Sequence, residues 1–564
     1  MKRRDLLGIG RAASAARYHD GDDVDFVIVG SGAAGGVLAR ELSQAGFSVV
    51  VLEQGPRLGE ADFTHDEYAY WVQWEIAADP RRNIQTFRAS EADEARIRPQ
   101  VPPAIFGRLV GGSSVHFTAN FWRLHPVDFK EGMLWGGIEG ASLVDWPITY
   151  EELEPYYTKV DWEVGVSGQA GASPFEPPRS RPYPMRPVAV KSSGVLFDKG
   201  CREMGWNPFP APMAIATEPF RGRPGCIHCG FCMGFGCEVR AKSSTLVTMI
   251  PEAEASGRCE VRSESRVVGV EIDRTGRTTG VRYLDRERTE HVQRGKAVIL
   301  AANGAETPRL LFLSESSRHP DGLANSSGLV GKHLMCNGQS MVGAAFEHEL
   351  NEFKSVQVTR IMHDFYDADP ARGFYGGGGI DARIFYHPMM WGLEGYGPPG
   401  APTWGPEYKA LLRDFSRSMF VNGHTTSLPV ESNSISLDPN VRDSWGYPAI
   451  RMTYRDHPDD LSMMRFMQDR SAEIAEAAGA KRVWRYPDAE TTVTAHLLGT
   501  CRMGTDPSGS VIDLDHRTHD VPNLFLCDGS SMVTSGRGQP TMTIMALAFR
   551  AAERIGDLAR RGEI

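Results

Sequence analysis

The sequence VDFVIVGSGAAGGVLARELSQAGFSVVVLE, residues 24–53, decides the fold of this chain. Its continuous apolar run at residues 26–29 predicts a buried parallel strand, residues 37–42 predict a helix, and residues 49–52 predict a second strand. A glycine-rich turn joins the first strand to the helix. Free N–H groups and the helix dipole favour a diphosphate at such a helix N-terminus, so the pattern indicates dinucleotide binding.

The glycines of this turn have separate tasks in a dinucleotide site. Gly30 makes the tight turn, Gly32 lets the backbone approach a pyrophosphate, and Gly35 lets the helix pack closely on the strand. Glu53 ends the second strand, where its carboxylate can accept hydrogen bonds from a ribose diol. We therefore predict a dinucleotide site rather than a structural glycine turn, and the motif alone does not choose between FAD and NAD.

The composition of the chain excludes several classes of protein. It has 564 residues, of which 41% are hydrophobic and 23% are charged, as in an ordinary globular protein rather than a disordered or fibrous one. The net charge of −10 gives no electrostatic reason to expect nucleic acid as a partner. No apolar run reaches the ~18 residues of a membrane-spanning helix, so we expect no transmembrane segment.

Further motifs follow one another along the chain in the order that one family has them. They cover residues 25 to 555 and comprise a second glycine-rich stretch (107–116), Asp145-Trp146-Pro147 before a tyrosine-rich segment, Ala301–Leu311, His496–Gly504, Asn523–Ser530 and Gln539-Pro540-Thr541. Together with the N-terminal turn, these segments resemble the glucose–methanol–choline (GMC) family of FAD-dependent oxidoreductases.

The resemblance implies an α/β fold, with a doubly wound, Rossmann-like FAD domain and an inserted α+β substrate domain on an antiparallel sheet. We expect residues 1–22 to form a frayed basic leader and residues 23–334 the first part of the FAD domain. Residues 335–490 would then form the substrate domain, and residues 491–564 return to the FAD domain. The cofactor-binding residues implied are Gly30, Gly32, Gly35, Glu53, Gly111, Gly112, Ser113, His116, Asp528 and Gly529.

Two residues are implied to carry the chemistry. Oxidation of an alcohol removes a hydride from carbon, which flavin N5 can accept, and a proton from oxygen, which needs a base. His496 matches the catalytic histidine of the family, and the alternative is a buried structural histidine. Gln539 stands where the family normally has His or Asn; its amide can donate to the substrate oxygen, or it can simply hold the turn before Pro540.

His116 is a candidate for a covalent bond to the flavin. In some sugar-oxidising relatives, a histidine in a similar Gly-Gly-x-Ser-x-His stretch bonds covalently to the cofactor. The alternatives for His116 are a noncovalent contact and a packing role.

Four cysteines lie within twelve residues, at Cys226, Cys229, Cys232 and Cys237. The spacing C-x2-C-x2-C-x4-C, with glycines that permit a tight wrap, resembles the run that holds an iron–sulfur cluster. Three interpretations stay open. They are an iron–sulfur cluster that relays electrons from the flavin, a zinc site, and a structural loop without metal.

The implied reaction is the FAD-dependent oxidation of a CH–OH group of a small polyol, sugar, glycoside or sugar acid. Electrons would pass to a non-oxygen acceptor, such as a cytochrome or a small subunit. The alternatives are an oxygen-using oxidase of the same family and a lyase that keeps FAD only as structure. Candidates to line a polar sugar site are Arg383, Tyr386, His387, Trp391 and Tyr396.

The N-terminus leaves the compartment open. Residues 3–7 (RRDLL) are similar to a twin-arginine export signal, but Arg11 and Arg17 interrupt the apolar region that such a signal needs. Two destinations remain: export to the periplasm, through this leader or with a signal-bearing partner, and retention in the cytoplasm.

Overall fold

Three β-sheets carry the fold in the computed structural model, which describes residues 17–384, 387–394, 397–487 and 490–564. The strands in this part of the chain are β1 (Val24–Val29), β2 (Val49–Leu52), β3 (Gln85–Arg88), β4 (Arg96–Ile97), β5 (Pro208–Pro210), β6 (Cys259–Arg262), β7 (Arg266–Ile272), β8 (Thr278–Leu284), β9 (Glu290–Leu300), β10 (Gln339–Ala345), β11 (Arg360–Met362), β12 (Gly378–Arg383), β13 (Ser418–Thr425), β14 (Ser434–Arg442), β15 (Pro448–Thr453), β16 (Arg482–Arg485) and β17 (Leu524–Leu526).

The α-helices pack on these sheets and connect them. They are α1 (Ala33–Gln44), α2 (Glu131–Trp135), α3 (Tyr150–Val160), α4 (Ser192–Glu203), α5 (Met249–Ala255), α6 (Glu306–Leu313), α7 (Pro388–Glu394), α8 (Gly405–Arg413), α9 (Pro458–Ala477) and α10 (Thr541–Arg560). None of the helices in the described residues is long and apolar enough to cross a lipid bilayer.

The first sheet has the strand order β6-β2-β1-β9-β8-β7, and β17 also pairs with β9. Strands β6, β2 and β1 and the C-terminal part of β9 pair in parallel, and so do β9 and β17, as expected for buried, apolar strands. Helix α1 packs on β1 and β2, and α10 packs on α1. The predicted doubly wound architecture is therefore confirmed.

Strand β9 holds the two halves of this sheet together. Its first residues pair antiparallel with β8, whereas Gly295–Leu300 pair parallel with β1, and the last three of these residues pair with β17. The C-terminal segment of the chain thus returns to the sheet that the N-terminal glycine turn begins.

The second sheet is antiparallel and has the order β16-β10-β13-β12-β11-β5. One of its faces is apolar, because Met419 and Val421 of β13 pack on α9 through Met463 and Met467. Alternate residues of a strand point to opposite faces, so Asn422 and His424 of β13 lie on the other side. This second face is polar, and it borders the site described below.

Three strands from the N-terminal part of the chain, β3, β4 and β5, join sheets that also contain strands from residues 335–490. Strand β5 pairs with β11 in the second sheet, and β3 pairs with β15 in a third sheet of order β14-β15-β3-β4. The domain boundaries at 334 and 490 stay predictions. Of the predicted leader, residues 1–16 lie outside the described part, and the backbone N–H of Arg17 donates to Glu260.

Candidate active site

The glycine turn after β1 has no space for a side chain at Gly30 or Gly35. Gly30 has φ +95°, and a Cβ there would lie 2.6 Å from the carbonyl oxygen of Ala301. A Cβ at Gly35 would collide with the carbonyl oxygen of Gly30, because α1 packs directly on the turn. A Cβ at Gly32 has its nearest neighbour at 3.9 Å, the Cα of Gly112. The backbone at Gly32 is therefore open to a ligand, while Gly30 and Gly35 are closed by the protein itself.

The two glycine-rich stretches are linked through Ser31. Its hydroxyl donates to Glu53 Oε2 at 2.7 Å and accepts from the backbone N–H of Gly111 at 3.0 Å. Glu53 also accepts from the N–H of Gly55 at 3.0 Å, and burial raises the pKa of its carboxyl. We call Gly30–Gly35, Glu53 and Gly111–Gly112 the cofactor cradle. The sequence placed these residues far apart, and the fold brings them together.

Ser113 and His116 continue the second glycine-rich stretch away from the cradle. The Ser113 hydroxyl accepts from the N–H of Gly107 at 2.8 Å, which closes the loop. His116 is half-buried, and its buried Nε2 atom has no hydrogen-bond partner among the described residues. Burial, and then the Lys242 ammonium, lower the pKa of His116 to about 4. A neutral imidazole with a free nitrogen is thus held beside the cradle.

Asp528 and Gly529 follow β17 and approach the carboxyl end of β9. The Asp528 carboxylate accepts from Asn303 N at 3.0 Å, Ser530 N at 2.8 Å and Thr307 Oγ1 at 2.6 Å. Burial raises the pKa of this carboxyl above its usual range. A Cβ at Gly529 would lie 2.5 Å from the carbonyl oxygen of Leu497, so the segment that carries His496 packs directly on this turn.

His496 has a defined tautomer because Asn337 is fixed. The Asn337 amide donates through Nδ2 to the carbonyl oxygens of Thr425 at 3.0 Å and Gly536 at 2.9 Å, so its Oδ1 faces His496 Nδ1 at 3.1 Å. An acceptor at that position requires the proton on Nδ1, which leaves the lone pair on Nε2. Burial, and then His424 and Arg383, lower the pKa of His496 to about 4, so it is neutral at neutral pH.

The polar face of the second sheet lies beside His496. We call Asp381, Arg383, Asn422 and His424 the polar sheet face. Arg383 forms a bidentate ion pair with Asp381, and both side chains are buried. In the part of the chain that is described, both amide atoms of Asn422 and the Nε2 atom of His424 are buried without a hydrogen-bond partner, whereas His424 Nδ1 lies 3.5 Å from Asp381 Oδ2. Buried polar groups without partners are costly, and a polar ligand would satisfy them.

Gln539 stands next to this face but does not contact His496 through a hydrogen bond. Its neighbour Gly538 packs on His424, where a Cβ would lie 2.5 Å from His424 Cδ2. The Gln539 amide has no hydrogen-bond partner among the described residues and is half-buried.

The cysteine loop (residues 226–237) is organised around the buried ammonium of Lys242. Lys242 Nζ donates to the carbonyl oxygens of Phe117 at 2.9 Å, Cys232 at 2.6 Å and Phe235 at 2.8 Å. Burial raises the pKa of the Cys232 thiol to about 12, so it stays protonated. Within the described ranges, no three of the four cysteine sulfur atoms lie within 4.8 Å of one another. The structure therefore gives no support to an iron–sulfur cluster.

The residues expected to line a sugar site separate in the fold. Arg383 belongs to the polar sheet face, whereas His387 bonds through Nε2 to the carbonyl oxygen of Gly230 at 3.0 Å in the cysteine loop. Trp391 is buried in an apolar cluster with Phe415, and its indole N–H donates to the carbonyl oxygen of Leu411 at 3.4 Å. Tyr386 and Tyr396 lie outside the described residues.

The groups that complete this site could not be recognised from sequence motifs. Asn337 precedes β10 and His424 lies in β13, and neither residue belongs to a recognisable motif. One weak signal in the sequence was that His424 is polar, although Phe420 and Val421 of the same strand are apolar.

The residues present fit FAD. The cradle offers open backbone at Gly32 and the N-terminus of α1 for a diphosphate, and Glu53 for a ribose. His116, whose buried Nε2 atom has no partner among the described residues, follows Gly111 and Gly112 of the cradle in the same stretch.

Comparison with known proteins identifies the family. Family models described as GMC oxidoreductase match residues 24–338 and 429–548. The chain is 36% identical to 2-methyl-1,2-propanediol dehydrogenase of Mycolicibacterium austroafricanum, over 95% of each chain. It is 29% identical to the fructose dehydrogenase large subunit of Gluconobacter japonicus, over 95% of this chain and 98% of that one.

The fold of the chain is similar to that of a solved structure of formate oxidase from Aspergillus oryzae RIB40, whose subject is FAD modification. It matches with a TM-score of 0.65 and 16% identity, over 97% of this chain and 100% of that one. These matches span nearly the whole chain, and they agree with the cradle geometry. The chain therefore belongs to the GMC oxidoreductase family and is an FAD-dependent oxidoreductase that acts on CH–OH donors.

Proposed function

We propose that this chain oxidises a CH–OH group of a neutral polyol, sugar or glycoside to a carbonyl, with His496 as the base. The observation that carries the proposal is the fixed tautomer of His496. Because Asn337 Oδ1 holds the proton on Nδ1, the Nε2 atom has a free lone pair that can accept the hydroxyl proton. When bound, FAD accepts the hydride at its N5 atom.

The polar sheet face supports recognition of hydroxyl groups. Asn422 offers one donor pair and one acceptor, and neutral His424, with Nδ1 facing Asp381, offers Nε2 as an acceptor. Burial lowers the pKa of His424, so we expect this neutral form at neutral pH. A ligand with several hydroxyl groups would satisfy these buried atoms.

The charge of the same face favours a neutral substrate over a sugar acid. The positive charge of Arg383 acts on His496, and its guanidinium is already paired with the Asp381 carboxylate. A substrate carboxylate would have to compete with a buried, bidentate partner, which is costly to displace. Among the substrate classes that the sequence left open, the neutral ones therefore fit best.

Gln539 and His116 keep the roles proposed for them. Gln539 has a free amide beside His424, so we propose that it donates to the substrate oxygen as the proton leaves. His116 has a free Nε2 atom, and we propose a contact to the flavin with no commitment to a covalent bond. Flavin that stays with acid-precipitated protein would show the covalent bond.

The proposed acceptor is not oxygen, and the name of one relative supports a partner. That relative is a fructose dehydrogenase large subunit, which implies at least one other subunit in that enzyme. We propose that reduced enzyme passes electrons to a partner protein such as a cytochrome. Peroxide formed in equal amount with product under air would instead identify an oxidase.

The test is anaerobic reduction of the bound flavin by a substrate panel. We expect neutral diols, sugars or glycosides to bleach the flavin absorbance, and sugar acids to leave it oxidised. Bleaching by sugar acids alone would contradict the neutral-substrate proposal. Bleaching by none of the alcohols would favour the lyase alternative. Flavin-loaded His496→Ala is the control, and it should bleach far more slowly with the same compound.

A further inference from the structure

Three side chains of different chemistry converge beside the cysteine loop, away from the active site. The ligand atoms of His65, Cys229 and Glu238 all lie within 4.8 Å of one another, and His65 Nε2 is 3.0 Å from Glu238 Oε1. In a tetrahedral zinc site, neighbouring ligand atoms lie roughly 3.5 Å apart. Movements of about 1 Å would therefore bring the three atoms to coordinating distance.

The imidazole of His65 is held in place by an aromatic stack. Its ring lies on Phe231 with centroids 3.9 Å apart and planes 5° from parallel. Phe231 in turn stacks on His387, with centroids 4.4 Å apart. A ligand whose ring is fixed by packing loses little conformational freedom when it binds an ion.

The thiol of Cys229 is held by a strained turn. His228 has φ +57° and Gly230 has φ +92°, so left-handed backbone flanks the cysteine on both sides. His228 Nδ1 lies 2.8 Å from Ser355 Oγ, and a Cβ at Gly230 would collide with the carbonyl oxygen of Phe353. A non-glycine residue in this region persists only where its surroundings impose it, which indicates that the position of Cys229 is imposed.

We propose that His65, Cys229 and Glu238 bind one Zn²⁺ ion, with a water molecule as the fourth ligand. A thiolate and a carboxylate balance the two charges of the ion, and the imidazole is neutral. Nitrogen and sulfur donors select zinc over magnesium or calcium. The His65 side chain is 37% exposed, which leaves solvent access for the water.

Zinc binding releases the Cys229 proton to solvent. The thiolate is the form of cysteine that ligates zinc, so one proton leaves for each ion bound.

The bound ion fastens the cysteine loop to the segment around residues 60–72. The cysteine loop also contacts the stretch that carries His116, the proposed flavin contact. Gly234 N donates to the carbonyl oxygen of His116 at 2.8 Å, and Lys242 Nζ donates to that of Phe117. The role of the ion is therefore structural, and it acts at a distance from His496.

The experiment uses the flavin-loaded full chain, stripped with a chelator and then given Zn²⁺ or Co²⁺. We expect one zinc ion per chain by elemental analysis. We also expect Co²⁺ to show thiolate charge-transfer absorption and tetrahedral d–d bands on the long-wavelength side of the flavin. Wild-type protein that takes up no zinc, or cobalt without sulfur ligation, would overturn the proposal.

Variants assign the ligands. His65→Asn, Cys229→Ser and Glu238→Gln should each lose the stoichiometric ion, with the flavin content retained. The matched control is Cys226→Ser, which removes a thiol of the same loop outside the donor set and should keep the ion. Loss of zinc in Cys226→Ser, with retention in Glu238→Gln, would replace this donor set by one made of cysteines.

Discussion

The cofactor cradle is formed mainly by backbone with no space for side chains at Gly30 and Gly35. The polar sheet face is formed by buried polar side chains that can bind a ligand. At Gly30 and Gly35 the protein's own carbonyl oxygens fill the space where a Cβ would stand. At Asn422 and His424 buried polar atoms have no partner within the described residues. The first region tolerates little variation because its ligand is fixed, and the second can change its substrate by changing single side chains.

The largest effect is expected from the base beside the polar sheet face. His496→Ala removes the acceptor of the hydroxyl proton, so kcat should fall by roughly 10²–10⁴-fold, the range for loss of a general base. Stopped-flow reduction of the flavin measures this loss directly. The matched control is His348→Ala, an exposed histidine, which should reduce the flavin at the wild-type rate. Equal rates for His496→Ala and wild type would exclude the base.

The cradle predicts opposite outcomes for two glycines. Gly35→Ala forces a Cβ onto the Gly30 carbonyl oxygen, so it should lower the free energy of unfolding by about 1–3 kcal/mol. Gly32→Ala has its nearest atom at 3.9 Å, so the fold should persist while the new methyl group blocks the diphosphate. We expect at least a tenfold weaker flavin affinity, which corresponds to ~1.4 kcal/mol. Thermal melts and flavin titrations separate the two, and normal flavin binding by Gly32→Ala would contradict the cradle.

A smaller effect is expected from the residue that orients the base. Asn337→Ala removes the acceptor for His496 Nδ1, so the two tautomers compete, and kcat per bound flavin should fall by about tenfold. KM should change little, because Asn337 acts through His496. A purely structural role would lower the melting temperature and the flavin content, yet leave kcat per bound flavin unchanged.

The smallest effect at neutral pH concerns the titration of His496. Its pKa is lowered to about 4, below the usual 6.5, so the base stays neutral well into the acid range. Since the protonated form is inactive, kcat/KM should be flat from neutral pH downward and fall by about tenfold per pH unit below pH 4. An acid limb near pH 6.5 would show that His496 is solvated instead of buried.

Much of the cradle could be predicted from the sequence because its physics is local. A strand, a glycine turn, a helix and an acid follow one another within residues 24–53, and each element is formed by the residues that were expected to form it. Thr149 likewise caps helix α3 by accepting from the N–H of Glu152, as its sequence context indicates.

The polar sheet face could not be predicted because nothing in one stretch of sequence defines it. Asp381 lies opposite Asn422 only because β12 and β13 pair in that register. Asn337 reaches His496 across 159 positions of sequence. The expected sugar-lining residues were chosen by residue type, and the fold places Trp391 in an apolar cluster. The cysteine run could not be interpreted from its spacing for a similar reason. The spacing does not show that Lys242 Nζ donates to the carbonyl oxygen of Cys232 within the loop.

Strand β9 has a consequence for how this protein is made. Strand β17 (Leu524–Leu526) pairs with β9 in the sheet that begins at β1 (Val24–Val29). The sheet that carries the cradle can be completed only after the chain up to β17 has left the ribosome. Pairing of segments so distant in sequence is slow, because the long loop between them loses entropy before the stabilising contacts form. A stalled or C-terminally truncated chain would expose an unpaired strand edge, which is a template for aggregation.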